Sequence, residues 1–299
     1  MMLRSYRLSL LTVFCAGVLW STQGLAIRLI GDSDAWQILF FRSVSLSVFL
    51  LIVVVFRYGR GAFAAIGRIG LPGIAGAVCL VFAYALGIFA MQQTTIADAV
   101  LLFATAPFFA AVLGWLVLDE KVQRPTWIAI GFAMSGIVVM QGGAIARGSA
   151  LGNLYAVGSA LCFALFTLVL RWRKDGDMMP TVLLSGVFAT VICFGITTAM
   201  GTGLSVPSTD ILVASLMGVF QTGAGLVLYT IGARAVAAVQ LALLPLIEVI
   251  LSPLWVALII GEIPTAIVLL GGSLVGVAII GDAVLTARRP AIEPVRNVT

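Results

Sequence analysis

The chain has 299 residues, of which 62% are hydrophobic and only 10% charged, with a mean hydropathy of +1.18 and a net charge of +5. Soluble domains are about 45–50% apolar and about 25% charged, so this composition excludes a soluble enzyme, a nucleic-acid-binding protein and a disulfide-stapled secreted module. A membrane crossing takes about 20 apolar residues, or about 30 with its loop, which gives about ten crossings and leaves no room for a soluble domain above ~50 residues. The apolar runs are continuous rather than alternating at every second residue, which argues against a membrane β-barrel.

The runs fall at 8–30, 35–56, 70–91, 97–118, 125–143, 150–171, 179–200, 210–231, 238–260 and 264–285. Arg4 and Arg7 before the first run imitate a signal peptide. That run continues to Ile30, too long for the apolar part of a leader, so it is read as an uncleaved first span. The loops test the topology. With the N-terminus inside, 14 of the 17 Lys and Arg fall on the inner side, 2 (Arg28 and Arg147) fall outside, and Arg42 lies within a span. Basic residues concentrate in cytoplasmic loops, so the bias predicts an even number of spans and two cytoplasmic termini. The four cysteines (Cys15, Cys79, Cys162, Cys193) lie inside apolar runs and form no CxxC pair, so they read as small buried hydrophobes. There is no histidine, no phosphate-binding loop and no metal-ligand spacing, so no metal, cofactor or ATP hydrolysis is expected. Abundant Arg over Lys, with Ala, Gly and Val, hints at a bacterial source and hence a bacterial cytoplasmic membrane.

Polar residues inside the spans are the functional candidates. In span 1, Trp20 and Gln23 are three apart and share a helix face. In span 2, Arg42 lies roughly 10 Å from the outer end at ~1.5 Å per residue. It can pair with a substrate carboxylate or with Glu248, or snorkel to the headgroups. Span 3 carries Tyr84, and span 8 carries Gln221 and Tyr229; an aromatic near the midplane suits a cavity for apolar or aromatic side chains. Span 4 opens at Asp98, which reads as a helix cap, while Glu120 and Glu262 at span ends read as solvated. Span 9 carries Gln240 and Glu248. The latter lies roughly 15 Å from the inner end, near the middle of a ~30 Å core, where an ionisable group is expensive and a functional candidate. It can carry a proton, hold a substrate ammonium, or serve as a protonated packing group. Pro107, Pro245 and Pro253 free carbonyls in spans 4 and 9 and are hinge candidates.

The chain also repeats itself. Shifted by 143, Trp20 meets Phe163 and Arg28 meets Arg171; shifted by 142, Asp98 meets Gln240 and Glu120 meets Glu262; shifted by 140, Gly131 and Gly136 meet Gly271 and Gly276. Five spans per half place the second half upside down. The expected fold is therefore an all-α polytopic membrane protein of ten transmembrane helices in two inverted five-helix repeats. Residues 1–146 form the first repeat, 147–287 the second, and 288–299 a cytoplasmic tail. Inverted repeats of this kind recur in secondary transporters, with the substrate site at their interface.

Ala106–Pro107 running through Trp115 to Asp119–Glu120, with Gly131 and Gly136 after it, resembles the EamA repeat of the drug/metabolite transporter superfamily. So does Ile247–Glu248 running through Pro253 and Trp255 to Gly261–Glu262, with Gly271 and Gly276 after it. The pattern departs in having Asp119 where Gly is usual and Val249 where a second Pro would repeat Pro107. Among branches of that superfamily the closest likeness is to YddG-type bacterial amino-acid exporters. The resemblance implies that spans 1–4 and 6–9 surround a central cavity while spans 5 and 10 pack behind it. Gly131-xxx-Ser135 and Gly272-xxx-Gly276 suit that close packing. The implied function is export of small metabolites, most of all amino acids including aromatic or apolar ones, by alternating access. Protons are a candidate coupling ion, and the bilayer and the solute are the partners. The alternatives are export of drugs or other metabolites, and a sugar-phosphate or nucleotide-sugar exchanger. The last should place several cations in the cavity, yet only Arg42 lies well inside a span. A membrane-embedded protease lacks its catalytic residues here.

Overall fold

The computed structural model describes residues 2–31, 33–94, 96–119, 124–141, 150–172, 177–236 and 238–261, and within 266–281 a subset. Among them seven helices are long and apolar enough to cross a membrane. Hydrophobic side chains such as Phe56, Leu71, Val191 and Leu258 lie exposed around the perimeter, as expected for helices that face lipid.

The first crossing is α1 (Met2–Trp20) followed by α2 (Gln23–Leu29). They are separated where Ser21 and Thr22 donate their hydroxyls back to the carbonyls of Val18 and Leu19, at 2.6 and 2.7 Å. Such bonds compete with the helical ladder, and the Thr22 amide accordingly shifts to the Leu19 carbonyl. The second crossing, α3 (Ala35–Tyr58), starts at a capping box in which Asp34 accepts from the Trp36 and Gln37 amides. A short helix α4 (Ala62–Gly67) leads to α5 (Gly70–Gln93). The fourth apolar run carries two shorter helices, α6 (Ile96–Phe103) and α7 (Ala106–Leu118), and α8 (Arg124–Gln141) follows; none of the three is among the seven.

In the second half, α9 (Ala150–Trp172) and α10 (Met179–Met200) are continuous. The next crossing joins α11 (Ser208–Leu216) to α12 (Gly225–Gly232) through a π-helical segment, Met217–Ala224. Then α13 (Ala238–Leu243) meets α14 (Ile247–Ile260) across a single 3₁₀ turn, Leu244–Leu246. The breaks between α6 and α7 and between α13 and α14 fall beside Pro107 and Pro245, which lack the amide a continuous helix needs. Pro253 behaves differently, since α14 runs through it without interruption; its side chain lies outside the described residues.

Pairs of crossings from opposite halves pack tightest: α5 against α9 and α3 against α10. Gly152 allows the first approach, because a Cβ there would sit 2.9 Å from the Gln93 backbone. The core runs through Leu46, Leu50, Leu80 and Phe166 on α3, α5 and α9, and on to Leu241 of α13. The expected packing stripe on α8 is corrected: a Cβ on Gly131 meets nothing within 4 Å, and Ser135 bonds only its own helix. Gly276 does approach a neighbour, with its Cβ position 3.2 Å from Ile250; Gly272 lies outside the described residues, as do Glu120, Arg147 and Glu262. The Asp98 side chain, expected to cap the fourth crossing, is likewise outside them.

Candidate functional site

A cavity of about 130 Å³ lies between the halves. Its wall takes residues from α1 and α2 (Trp20, Gln23), α3 (Arg42), α5 (Tyr84, Met91), the α6–α7 split (Phe103, Ala106), α9 (Ser159, Phe163), the π-helical segment (Gln221) and the α13–α14 split (Pro245, Glu248). Of the eight crossings expected around a cavity, only α10 contributes no wall residue. Its Ser185 still reaches the Tyr84 hydroxyl at 3.4 Å. The irregular segments thus collect at one place, consistent with irregular backbone being tolerated at membrane depth where it lines a cavity.

The cavity is displaced from the middle. On α5 the wall residues run from Ala83 to Met91, in the second half of that helix, and on α3 Arg42 is near the start. Both choices point away from the face that holds the start of α1, called here the N-terminal face. On the N-terminal side an aromatic floor closes the cavity. The rings of Trp20, Phe163 and Tyr229 pack with centroids 5.2–5.4 Å apart. Trp20 and Phe163 are equivalent positions of the two repeats, and here they touch edge to face. Gly225 makes room for this: a Cβ there would run into the Trp20 indole. Tyr229 is fully buried, and its hydroxyl is 2.7 Å from Thr167.

A basic and an acidic side chain face the cavity. Arg42 is 2% exposed, so snorkelling to headgroups is ruled out for this side chain. Its guanidinium stacks over the Tyr84 ring at 5.0 Å, while its Nε and one Nη find no partner. Glu248, part-buried in the first turn of α14, makes no bond or ion pair among the described residues. The direct Arg42–Glu248 pair expected as one option is therefore absent. A neutral relay crosses between the repeats beside them: Thr222 donates to Gln221, Gln221 to Gln23 at 2.9 Å, and Gln23 to the Met91 sulfur.

The expected residues thus divide. Arg42, Glu248, Trp20, Gln23, Tyr84, Gln221 and Pro245 line the cavity. Tyr229 belongs to the floor. Gln240 sits below it, 5% exposed, accepting from the Tyr6 hydroxyl at 2.8 Å. Pro107 is buried beside the wall, next to Ala106. Residues that the sequence reading passed over are Ser21, Met91, Phe103, Ser159, Thr222 and Ser252, all on the wall. Also passed over was a polar cluster at the N-terminal face. There Asp177 binds Arg57 Nε at 2.6 Å, Arg234 at 3.3 Å and the Tyr58 hydroxyl. Partial burial pushes the Asp177 carboxyl up. The Tyr58 hydroxyl, the Met179 amide and the two guanidiniums outweigh that and hold it below its ordinary value.

The model of the EamA-like transporter family matches this sequence twice, at residues 7–141 and 150–281. The chain belongs to that family. A curated relative, an uncharacterized transporter of Helicobacter pylori (strain ATCC 700392 / 26695), is 24% identical over 196 residues; the match spans 61% of this chain and 63% of that protein. A solved crystal structure superposes with a TM-score of 0.78 at 17% identity, covering 94% of this chain and 98% of the other, which shows a shared fold. The protein is thus a multi-pass membrane protein of a transporter family, with two EamA repeats and a cavity at their seam.

Proposed function

We propose that this transporter exports small zwitterionic metabolites, foremost amino acids with aromatic or apolar side chains, across the bacterial cytoplasmic membrane by alternating access. One observation carries the reading: a basic and an acidic side chain, Arg42 and Glu248, face the same cavity without pairing to each other. A buried unpaired charge is costly, and an α-amino acid supplies both missing partners, its carboxylate to Arg42 and its ammonium to Glu248. Apolar wall residues, among them Met91, Phe103 and Phe163, suit the side chain. Phosphorylated sugars fit less well, since Arg42 is the single cation on the described wall. The 14-to-2 charge bias supports cytoplasmic termini; the N-terminal face is then the inner one and the cavity lies towards the outside. Flux follows a gradient, either the solute's own or one of protons carried by Glu248.

The test is counterflow in liposomes against amino acids, phosphorylated sugars and cationic dyes, with Glu248→Gln alongside. Gln keeps the shape and one oxygen but never ionises. A substrate ligand then loses both accumulation and exchange, whereas a proton carrier loses accumulation and keeps exchange. Uptake of phosphorylated sugars alone would sink the amino-acid reading, and unchanged exchange and pH dependence in Glu248→Gln would remove that residue from the mechanism.

A further inference from the structure

Below the aromatic floor, Asp177 ties together three crossings at the N-terminal face. Arg57 ends α3, Asp177 precedes α10, and Arg234 follows α12. Arg57 comes from the first repeat, and Asp177 and Arg234 from the second. Side-chain exposure is 18% for Asp177, 40% for Arg57 and 45% for Arg234.

The inverted repeat supplies an internal control. Shifted by 143, Asp34 meets Asp177. The two play the same local part at opposite membrane faces: Asp34 accepts from the amide two residues on, Trp36, and Asp177 from the amide two residues on, Met179. If the halves exchange conformations during alternating access, whatever closes one face has its counterpart at the other. The counterparts of Arg57 and Arg234 are not basic. The end of α10 reads Ala199–Met200, and the end of α5 and the residues after it, 91–95, read Met-Gln-Gln-Thr-Thr. At that face Gln37 instead donates to the Thr202 and Gly203 carbonyls, at 3.5 and 3.1 Å. Asp210 of α11 also accepts there from the Ser33 hydroxyl at 2.7 Å and the Gly31 amide at 3.3 Å, so this face is tied by hydrogen bonds to neutral groups, whereas the Asp177 position is tied by two guanidiniums.

We propose that the Asp177 cluster, through its Arg234 arm, is a latch that holds the N-terminal face closed and biases the conformational equilibrium towards the state open at the opposite face. The proposal rests on the alternating-access reading but not on any substrate. Arg57 anchors Asp177 to α3, whose opposite end stays joined to the α10 terminus through Gln37. Arg234 is the arm that releases when the end of α12 moves. A ligand-independent bias of this kind lets cytoplasmic substrate enter only when the latch opens, and returns the empty transporter to its closed inner face.

The test reads conformation directly. In a background with the four native cysteines replaced by alanine, Ala242→Cys places a thiol on the cavity wall at the α13 side. A membrane-impermeant thiol reagent is added at the N-terminal face of oriented vesicles, without substrate. Arg234→Gln is expected to raise the labelling rate about fivefold, the size of one exposed ion pair at the upper end of its range. Asp177→Asn is expected to raise it at least as much, and Arg234→Lys, which keeps the charge, to stay near the parent. Rates within twofold of the parent for both Arg234→Gln and Asp177→Asn would overturn the latch. An increase shared equally by Arg234→Lys would overturn it too, since packing rather than charge would then be responsible. A shifted rate in a chain that transports no amino acid would leave the latch standing and sink the substrate reading.

Discussion

Arg42 should be worth more to the transporter than to its fold, and the sign of that trade can be worked from its surroundings. The guanidinium is 2% exposed, with two nitrogens that find no partner. An unsatisfied buried donor costs about 1–3 kcal/mol, so two cost about 2–6 kcal/mol. The Tyr84 ring at 5.0 Å returns about 0.5–2 kcal/mol of this through the cation–π interaction. The balance is a net cost of about 3 kcal/mol, within the ~1–4 kcal/mol gained in other proteins when buried ionic groups are replaced by apolar ones of similar volume. Arg42→Met fills most of the same space without charge. It should therefore raise the free energy of unfolding, followed by denaturant titration in mixed micelles, by about 3 kcal/mol. The same variant should lose exchange, and added amino acid should no longer stabilise it as it does the parent, because ligand stabilisation needs binding to the folded state. A variant that is destabilised by more than ~1 kcal/mol and still exchanges substrate would refute the reasoning and make Arg42 a packing residue.

Three further outcomes are expected. Gly225→Ala should destabilise by about 1–3 kcal/mol through overpacking against the Trp20 indole, while Gly131→Ala, which meets open space, should be neutral or stabilising by up to about 1 kcal/mol; unfolding titrations of the pair check the contrast. Cysteine at Ser205 should react with an impermeant reagent only from outside the cell, and cysteine at Ala64 only from inside; reversed labelling would invert the assigned topology. The latch should be insensitive to pH across the physiological range. The Asp177 carboxyl is held below its ordinary value, so its contribution is present above the unfolded value of ~3.9 and is lost as pH falls through the lower folded one. The Ala242→Cys labelling rate at the N-terminal face, corrected for thiol ionisation, should therefore be flat from about pH 5 to 8, and a rise on acidification within that window would assign the latch to another group.

How much was legible depended on the physical signal each residue carries in sequence. Seven of the ten expected crossings appear among the described residues as helices long and apolar enough to span, legible because a lipid-spanning run is long and leaves composition no freedom. The repeat was legible from a nearly constant offset of 140–143 residues, and the contact between Trp20 and Phe163 fits it, since equivalent positions near an inverted-repeat seam can meet. Arg42 and Glu248 stood out because a charge at that depth is rare. Ser21, Ser159 and Ser252 did not, because a hydroxyl within an apolar helix can bond its own backbone, and nothing in the sequence says which ones face a cavity. Tyr229 and Gln240 are candidates by sequence, and they lie in and below the floor rather than on the wall. These helices are apolar on all sides, so periodicity does not reveal the axial face. Pro253 was read as an interruption, yet helix neighbours can absorb a proline in a membrane. Asp177 was passed over because a loop carboxylate carries no depth signal; only the fold brings Arg57 and Arg234 to it.

The position of the two charges bears on how binding can drive movement. Arg42 belongs to the first repeat and Glu248 to the second, and the Gln23–Gln221 bond crosses between the same halves. A ligand changes a conformational equilibrium only by as much as its affinity differs between the states. A solute held wholly by one repeat would ride with it and shift nothing when the halves move. A zwitterion held at one end by each repeat has contacts whose geometry changes with every relative displacement, so its affinity depends on the state. The latch at the N-terminal face then sets the equilibrium of the empty chain, and a solute spanning the seam is the component able to work against it. On this argument the separation of Arg42 from Glu248 is itself functional. A direct ion pair would satisfy both charges without substrate, and would remove the differential affinity on which alternating access depends.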